Sequence, residues 1–315
     1  MSENTGEFKV IFRGVRGSHP VSGQDNLKYG GHTSCVEVRV DGRLIILDAG
    51  TGIVSLGNDL LKQHIASGTS ETNRKHTEAL MLFSHTHNDH LQGFPFFKPA
   101  YLNTTKLHIF GPRNFGLDFE KIMERSMFTP FFPIELGEMA SHITINNIKE
   151  TDLMILHPGK TEPERRRVNP LEEPDLPQDA IIIRNIKSYA HPRDGVYLYK
   201  ISWKGHSVVY ATDKENYIGG DSRLASFARN TDLLIHDAQY TNEDYTSIIA
   251  PKQGYGHSTP EMAVDAAKQT GARKLVLFHH DPSYNDKKIE SLEESAKAHF
   301  KNSIAAYEGL EIDII

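Results

Sequence analysis

Four side chains of metal-ligand type crowd into six residues of this chain: His85, His87, Asp89 and His90 of "HTHNDH". They come just after the apolar run "ALMLF", one serine beyond what reads as a buried strand. On an extended strand end, two residues apart is the same side, so His85 and His87 aim at one point. A turn and helix starting near Asn88 swings Asp89 and His90 towards a neighbouring point. Neutral imidazoles and carboxylates are ligands for borderline divalent cations, zinc above all. A lone histidine is more often a satisfied core residue, but four such groups in six positions is not a core pattern.

Those four cannot fill the shells of two metals, each of which needs more ligands and an open position for water. Several strand ends in the second half offer them. His191 stands in "SYAHPRDG", and Asp213 directly follows the buried "VVYAT". His279 and His280 both end "LVLFHH". His157 in "LMILHPGK" competes with His191, since it also follows an apolar run and precedes a proline. A carboxylate placed between two metals can bridge them, which suits Asp213. Of the 17 histidines, those at 64, 76, 108, 142, 206 and 299 lie in helix, loop or strand contexts without partners.

The elements that must carry these groups alternate along the chain. "EFKVIFRGVRGS" has period-two apolar character, and "SCVEVRVDGRLIILDAG" reads as a hairpin about an Asp-Gly turn. "IVSLGNDLLKQHIA" has helical spacing, "ALMLFS" is a strand, and "NDHLQGFPFF" opens as a helix that meets Pro95. "TKLHIFGP" is a strand and "LDFEKIMERSM" a helix. The second half repeats the theme: a hairpin in "GVYLYKISWKGHSVVYATD", then strand "DLLIHDA", helix "TPEMAVDAAKQTG", strand "RKLVLFHHDP", helix "IESLEESAKAHFKN" and closing strand "LEIDII". Two halves of sheet and helix predict a layered α/β sandwich in a single domain, 1–315. Residues 158–179, rich in proline and charge, read as a flexible insertion: a solvated surface segment, an active-site flap or a dimer arm.

Composition limits the function classes. The 315 residues are 38% hydrophobic with a net charge of −6, so no global basic field draws nucleic acid or anionic membrane. The polar "MSENTGEFKV" has no apolar signal core, and no stretch approaches the roughly 20 apolar residues of a membrane span. A single cysteine, Cys35, allows no intrachain disulfide and fits a reducing, cytoplasmic setting.

The combination of "HTHNDH" with His191, Asp213 and His279 resembles the HxHxDH signature of the metallo-β-lactamase superfamily, whose fold is an αββα sandwich. "LDAGTG" at 47–52 is similar to its first motif, with Asp48 as a carboxylate supporting the ligands from behind. The resemblance implies that His85, His87 and His191 bind one metal. It implies that Asp89, His90 and His279 bind the other, with Asp213 bridging the pair. The order of hairpin and Asp213 after it favours His191 over His157, and "HHDP" favours His279 over His280. Two divalent ions per chain are implied, zinc foremost, with manganese or iron as alternatives.

"IHDAQY" at 235–240 resembles the HEAT segment of the ribonuclease Z and phosphodiesterase branch, and "GHST" at 256–259 its histidine-bearing loop. The resemblance gives His257 the role of proton donor or phosphate contact, with Asp237 orienting it and His236 in support. It makes Asp89 catalytic as well as a ligand, and Ser258 and Thr259 substrate contacts. The loop "RGSHPVSGQDNLKYGGHTSCVEV" resembles cyclic-nucleotide and phosphonate-pathway phosphodiesterases, with His19 and His32 read as loop histidines bonded to backbone. An alkoxide is a poor leaving group, so a donor such as His257 favours diester hydrolysis over lactam or thiolester cleavage. The acidic balance, with "ERRRV" (164–168) the only strong basic cluster, favours a small phosphodiester such as a cyclic nucleotide. The alternative is a ribonuclease Z-like endonuclease that processes tRNA 3′ ends, with RNA as partner. A non-catalytic scaffold on the same fold is a third reading, and a homodimer is compatible with all three.

Overall fold

In β1 (Phe8–Gly14), Phe8, Val10 and Phe12 are fully buried while Lys9, Ile11 and Arg13 are partly exposed, the period of a strand with one face on a core. It pairs antiparallel with β2 (Cys35–Val40), which turns through Asp41 and Gly42 into β3 (Arg43–Leu47). Helix α1 (Ile53–Ala66) then crosses to β4 (Thr77–Leu82), which runs parallel to β3 and to β5 (Thr105–Pro112). Short α2 (Asn88–Leu91) follows β4, and α3 (Phe119–Ser126) follows β5. With β6 (His142–Ile148) and the last strand of the chain at the opposite edge, these strands form one seven-stranded sheet.

The second sheet has eight strands. It contains β7 (Asp152–Leu156), β8 (Glu164–Arg167), β9 (Ile181–Ser188), β10 (Val196–Trp203), β11 (His206–Ala211), β12 (Leu233–Asp237), β13 (Lys274–Phe278) and β14 (Ser303–Ala305). From β11 to β14 the strands are parallel, linked by α4 (Ser222–Phe227), α5 (Asn242–Tyr245), α6 (Pro260–Thr270) and α7 (Asp286–His299). The chain closes with β15 (Glu311–Asp313), which returns to the first sheet beside β1. The computed structural model describes residues 6–70, 73–160, 162–168, 175–217 and 219–315. Among these, no helix is long and apolar enough to cross a membrane.

The layers follow from which side chains each face presents. Leu80 and Leu82 of β4 join Val276 and Phe278 of β13 in the core between the sheets. The other face of β4, Ala79 and Met81, packs on α1 and α3 through Ile53, Leu56 and Met123. Leu275 and Leu277 of β13 pack on α6 and α7 through Ala263, Ala267, Ile289 and Leu292. Continuous apolar runs such as "ALML" and "LVLF" are the mark of parallel strands buried on both faces. The result is the expected αββα sandwich.

Local signals set the helix ends. Thr259 caps α6, with Pro260 at the first helical position and Gly271 left-handed at φ 67° beyond the last turn. Asn285 caps α7 by accepting Lys288 N–H at 3.0 Å, so this helix begins three residues ahead of the periodic segment "IESLEESAKAHFKN".

The sequence reading assigns no strand between residues 142 and 188, where the structure has β6, β7, β8 and β9. Part of the expected insertion is therefore ordered: β8 pairs antiparallel with β7. Arg165 there reaches the buried Asp152 at 2.5 Å and Arg166 reaches Glu164 at 2.8 Å. Residues 161 and 169–174 of that segment lie outside the described residues.

Candidate metal centre

Parallel strands deliver their C-terminal ends to one edge of the sandwich, where ligand sites of open α/β sheets form. β3 ends into Asp48, β4 into Ser84–His90, β11 into Asp213 and β13 into His279. β9 is antiparallel to β10, and β10 to β11, so His191 just past β9 arrives at the same edge. The pairing Asp237↔Phe278 sets His279 one step beyond Asp237. Asp48, Asp213 and His279 have φ of 60°, 50° and 65°, and Ser18 beside them 60°. Non-glycine residues in that region are uncommon and cluster at functional sites.

Four histidines are fixed by what their outer ring nitrogen donates to. His85 Nδ1 donates to Ser84 Oγ at 3.0 Å, since that hydroxyl spends its own proton on Asp48 Oδ2 at 2.7 Å. His90 Nδ1 donates to Asp48 Oδ2 at 2.8 Å, and His191 Nδ1 to the Gly256 carbonyl at 3.1 Å. His279 Nδ1 meets Gln239 Oε1 at 3.1 Å. In each ring the remaining Nε2 points inward, the arrangement by which outer hydrogen bonds orient metal ligands. Asp48 is the hub, also accepting Ser84 N–H at 2.7 Å and Tyr210 O–H at 2.8 Å.

The inward atoms form two groups. Around one point, His90 Nε2 lies 3.3 Å from His279 Nε2, 3.3 Å from Asp89 Oδ2 and 3.2 Å from Asp213 Oδ1. His279 Nε2 lies 3.1 Å from Asp89 Oδ2 and 3.3 Å from Asp213 Oδ1. A tetrahedron with bonds of the zinc–nitrogen length has edges of about 3.3 Å. Around the second point, His87 Nδ1 and His191 Nε2 are 3.1 Å apart, beside His85 Nε2. Asp213 Oδ2 is 3.7 Å from both His85 Nε2 and His191 Nε2. One carboxylate oxygen thus faces each group.

The residues fit two divalent cations. His85 Nε2 is buried with no hydrogen-bond partner, a cost that a bound cation would remove. Burial pushes His85 well below its ordinary pKa, and burial takes His191 down to about 4, so both keep lone pairs at neutral pH. Burial alone would also depress His279, but Asp213 and Asp89 outweigh it and push the ring up to about 8. Burial would raise Asp89 and Asp213, yet the surrounding histidines hold both well below the carboxylate range. Two buried anions facing imidazoles favour a cation between them.

His257 stands outside both groups. Its Nδ1 donates to Asp237 Oδ2 at 2.7 Å, and its ring stacks on His279 at 5.0 Å and 13°. The shorter aspartate arm reaches because Asp237 Oδ1 also accepts Ser258 N–H at 2.8 Å, drawing the loop in. A cavity of about 480 Å³ opens over Ser18, Thr86, His87, Asn88, Asp89, Asp213, His257 and His279.

Other expected site residues lie elsewhere. His236 alternates to the helix face of β12, and its Nδ1 donates to the Asp237 carbonyl at 2.8 Å, so it supports no ligand. Ser258 and Thr259 are buried and absent from the cavity wall. Ser258 Oγ donates to the Lys214 carbonyl at 2.6 Å, and Thr259 caps α6, so the backbone consumes both hydroxyls. His157 pairs with Glu164 at 2.6 Å, and His280 donates to the Ala306 carbonyl at 2.9 Å, which leaves His191 and His279 in the cluster. His19 meets its neighbour's carbonyl, and His32 the Thr51 hydroxyl.

Sequence reasoning missed Ser18, whose N–H donates to Asp89 Oδ2 at 2.7 Å, and Gln239 and Tyr210, which orient ligands. Gly17, next to Ser18, marks the close approach of that loop to the site. A β-carbon there would lie 2.4 Å from the His279 ring.

Residues 43–280 match the family model described as Beta-lactamase superfamily domain. The chain belongs to the metallo-β-lactamase superfamily. It is 27% identical to ribonuclease Z of Picrophilus torridus over 98% of this chain and 96% of that one. Among solved structures, the metallo-β-lactamase fold protein YhfI of Bacillus subtilis superposes with TM-score 0.64 at 18% identity, covering 98% of this chain and 100% of that one. Human tRNase Z, short form, superposes with TM-score 0.58 at 18% identity, covering 98% and 99%. The two structural likenesses establish the fold. Family, ligand geometry and paired cation positions together make the protein a binuclear metal-dependent hydrolase.

Proposed function

We propose that this protein is a metal-dependent phosphodiesterase that cuts RNA, as a ribonuclease Z-like processor of tRNA 3′ ends. Charge balance, with one basic cluster at 164–168, ranks a small cyclic diester first on sequence alone. The similarity to ribonuclease Z over nearly the full length of both chains reverses that order. The observation that carries the chemistry is the His257–Asp237 pair, 2.7 Å apart at the wall of the cavity that the ligand side chains open into.

Two divalent ions in the paired positions would supply Lewis-acid activation of water and charge neutralisation at phosphorus. His85, His87 and His191 would hold one, and Asp89, His90 and His279 the other, with Asp213 shared. Zinc suits this nitrogen and oxygen set, as do manganese and iron. Asp89 keeps its Oδ2 on Ser18 and the two histidines, leaving Oδ1 to orient an attacking water. His257, with Nδ1 committed to Asp237, has Nε2 left to protonate the departing ribose oxygen. Asp237 beneath the ring fixes its orientation, so that Nε2 faces the cavity.

Substrate features also support RNA. A second cavity of about 410 Å³ shares Thr86 and His87 with the first and is lined by Phe115, Leu117, Ile122 and Arg193. Phe115 is 73% exposed, and exposed Arg193 has no carboxylate partner among the described residues. An aromatic face beside an unpaired guanidinium is what stacks a base and meets a phosphate. The test is hydrolysis of a precursor tRNA, several cyclic nucleotides and bis-p-nitrophenyl phosphate, each with zinc, manganese or iron added. Cleavage of the precursor is expected; efficient hydrolysis of a cyclic nucleotide with the precursor left intact overturns the RNA assignment.

A further inference from the structure

The turn that follows the shared carboxylate also holds the loop that carries the proton donor. Past Asp213, Lys214 is fully buried with its ammonium 3.0 Å from Asp221, and its carbonyl accepts the Ser258 hydroxyl. Asn216 N–H donates to that same hydroxyl at 2.9 Å. These contacts pin the C-terminal end of the loop 251–258. The N-terminal part, Pro251 to Tyr255, is mostly exposed and has fewer ties.

Glu215 supplies the principal one. Its carboxylate accepts Gly254 N–H at 2.9 Å on both oxygens, Gly256 N–H at 3.0 Å on Oε2 and Tyr245 O–H at 2.5 Å on Oε1. Its own N–H points to the Ala190 carbonyl at 3.4 Å, next to the ligand His191. Gly254 and Gly256 have φ of 81° and 90°. At Gly256 a β-carbon would lie 2.2 Å from His191 Nδ1, so only glycine lets that ring approach and donate to the Gly256 carbonyl. The segment 254–257 therefore touches His191 through a carbonyl, Asp237 through His257, and the Asp213 turn through Glu215.

We infer that Glu215 is a positioning residue: it latches the 254–257 segment so that His257 stays aligned over the metal edge and the Gly256 carbonyl stays on His191. Its effect on catalysis rests on the phosphodiesterase reading; the latch itself does not. An anionic acceptor of two adjacent loop amides holds them more strongly than water can. The glutamate lies two residues past Asp213, so the shared ligand and the acid loop move as one piece.

Glu215→Ala and Glu215→Gln test this in the metal-loaded protein. In Glu215→Ala, exchange of the Gly254, Gly256 and His257 amides should quicken by about tenfold or more as local opening becomes easier. Both ions should remain. The kcat on precursor tRNA should fall about tenfold, while bis-p-nitrophenyl phosphate, whose leaving group needs no proton, changes less than about twofold. Glu215→Gln, with one acceptor oxygen kept, should recover part of both losses. Adding Glu215→Ala to His257→Ala should cost no further rate on the tRNA. Unchanged exchange, equal loss on both substrates, loss of an ion from Glu215→Gln, or full additivity with His257→Ala each overturn the inference. A wild type that hydrolyses neither substrate removes the phosphodiesterase reading, and amide exchange then decides the latch alone.

Discussion

The trio His85, His87 and His191 and the quartet Asp89, His90, Asp213 and His279 lie side by side but differ in charge and cover. All four members of the quartet are buried, whereas His87 of the trio is exposed. The quartet contains two carboxylates, and the trio reaches charge only through Asp213 Oδ2 at 3.7 Å. In the quartet, anions and imidazoles already contact one another at 3.1–3.3 Å, so a cation there replaces strong local pairing. In the trio a cation fills a gap around an unpartnered His85 nitrogen. The difference teaches that one position is closed and anionic, and the other is open and nearly neutral.

The largest expected effect comes from the residue both groups share. Asp213→Ala should empty both positions and lower turnover by about 10³-fold or more. Two tightly held ions at full activity, by elemental analysis, would end the bridging assignment. His85→Ala should empty only the trio and His279→Ala only the quartet. Partial chelation of the wild type should release one ion before the other, the open trio first; simultaneous release would erase the distinction between the groups.

Next comes the group that belongs to neither. His257→Ala should keep both ions and slow cleavage at alkoxide leaving groups by about 10²-fold, the scale of a removed general acid. Bis-p-nitrophenyl phosphate should be far less affected. Loss of an ion would instead make His257 a ligand and redraw the quartet.

Smaller effects separate the cleft from the distant arginines. Arg193→Ala should lower kcat/KM on precursor tRNA several-fold and reduce the salt slope by about 1. Replacing Arg166 and Arg167 on the edge strand β8 should do much less, because Arg166 is already paired with Glu164. If β8 matters more than Arg193, the RNA path runs elsewhere.

The smallest test concerns a histidine outside both groups. Burial, reinforced by the Lys214 charge, pushes His236 down to about 4. The unfolded chain takes up that proton near the ordinary value while the folded chain refuses it. Stability should therefore be full above about pH 6.5 and fall as pH drops towards 4, by up to about 3 kcal/mol from this residue. His236→Gln should flatten that part of the pH–stability curve measured by denaturant unfolding; an identical curve would show the ring is not held neutral.

Much of the site was legible because its residues are contiguous or end apolar runs. "HTHNDH" announced itself, and Asp213 and His279 stood at the ends of "VVYA" and "LVLF". Ser258 and Thr259 misled because a hydroxyl beside a candidate proton donor reads the same whether it faces substrate or caps a helix. Of the strands from 142 to 188, β6 and β8 are polar edge strands with weak alternation, whereas β7 "DLMIL" and β9 "IIIRNIKS" carry a strand signal that went unread.

By itself the sequence determined the layers and pointed to most of the candidate ligands at one edge, because strand burial and ligand chemistry are properties of short segments. It also determined the family. Only the tertiary structure decided which ring nitrogen faces inward, since that depends on acceptors such as Asp48, Gln239 and the Gly256 carbonyl, which come from other loops. It alone set one oxygen of Asp213 towards each ligand group, and it alone brought Glu215 to the amides of a loop about forty residues on. Hydrogen bonds between distant segments are fixed by strand register and loop approach, and no local pattern in the chain encodes those distances.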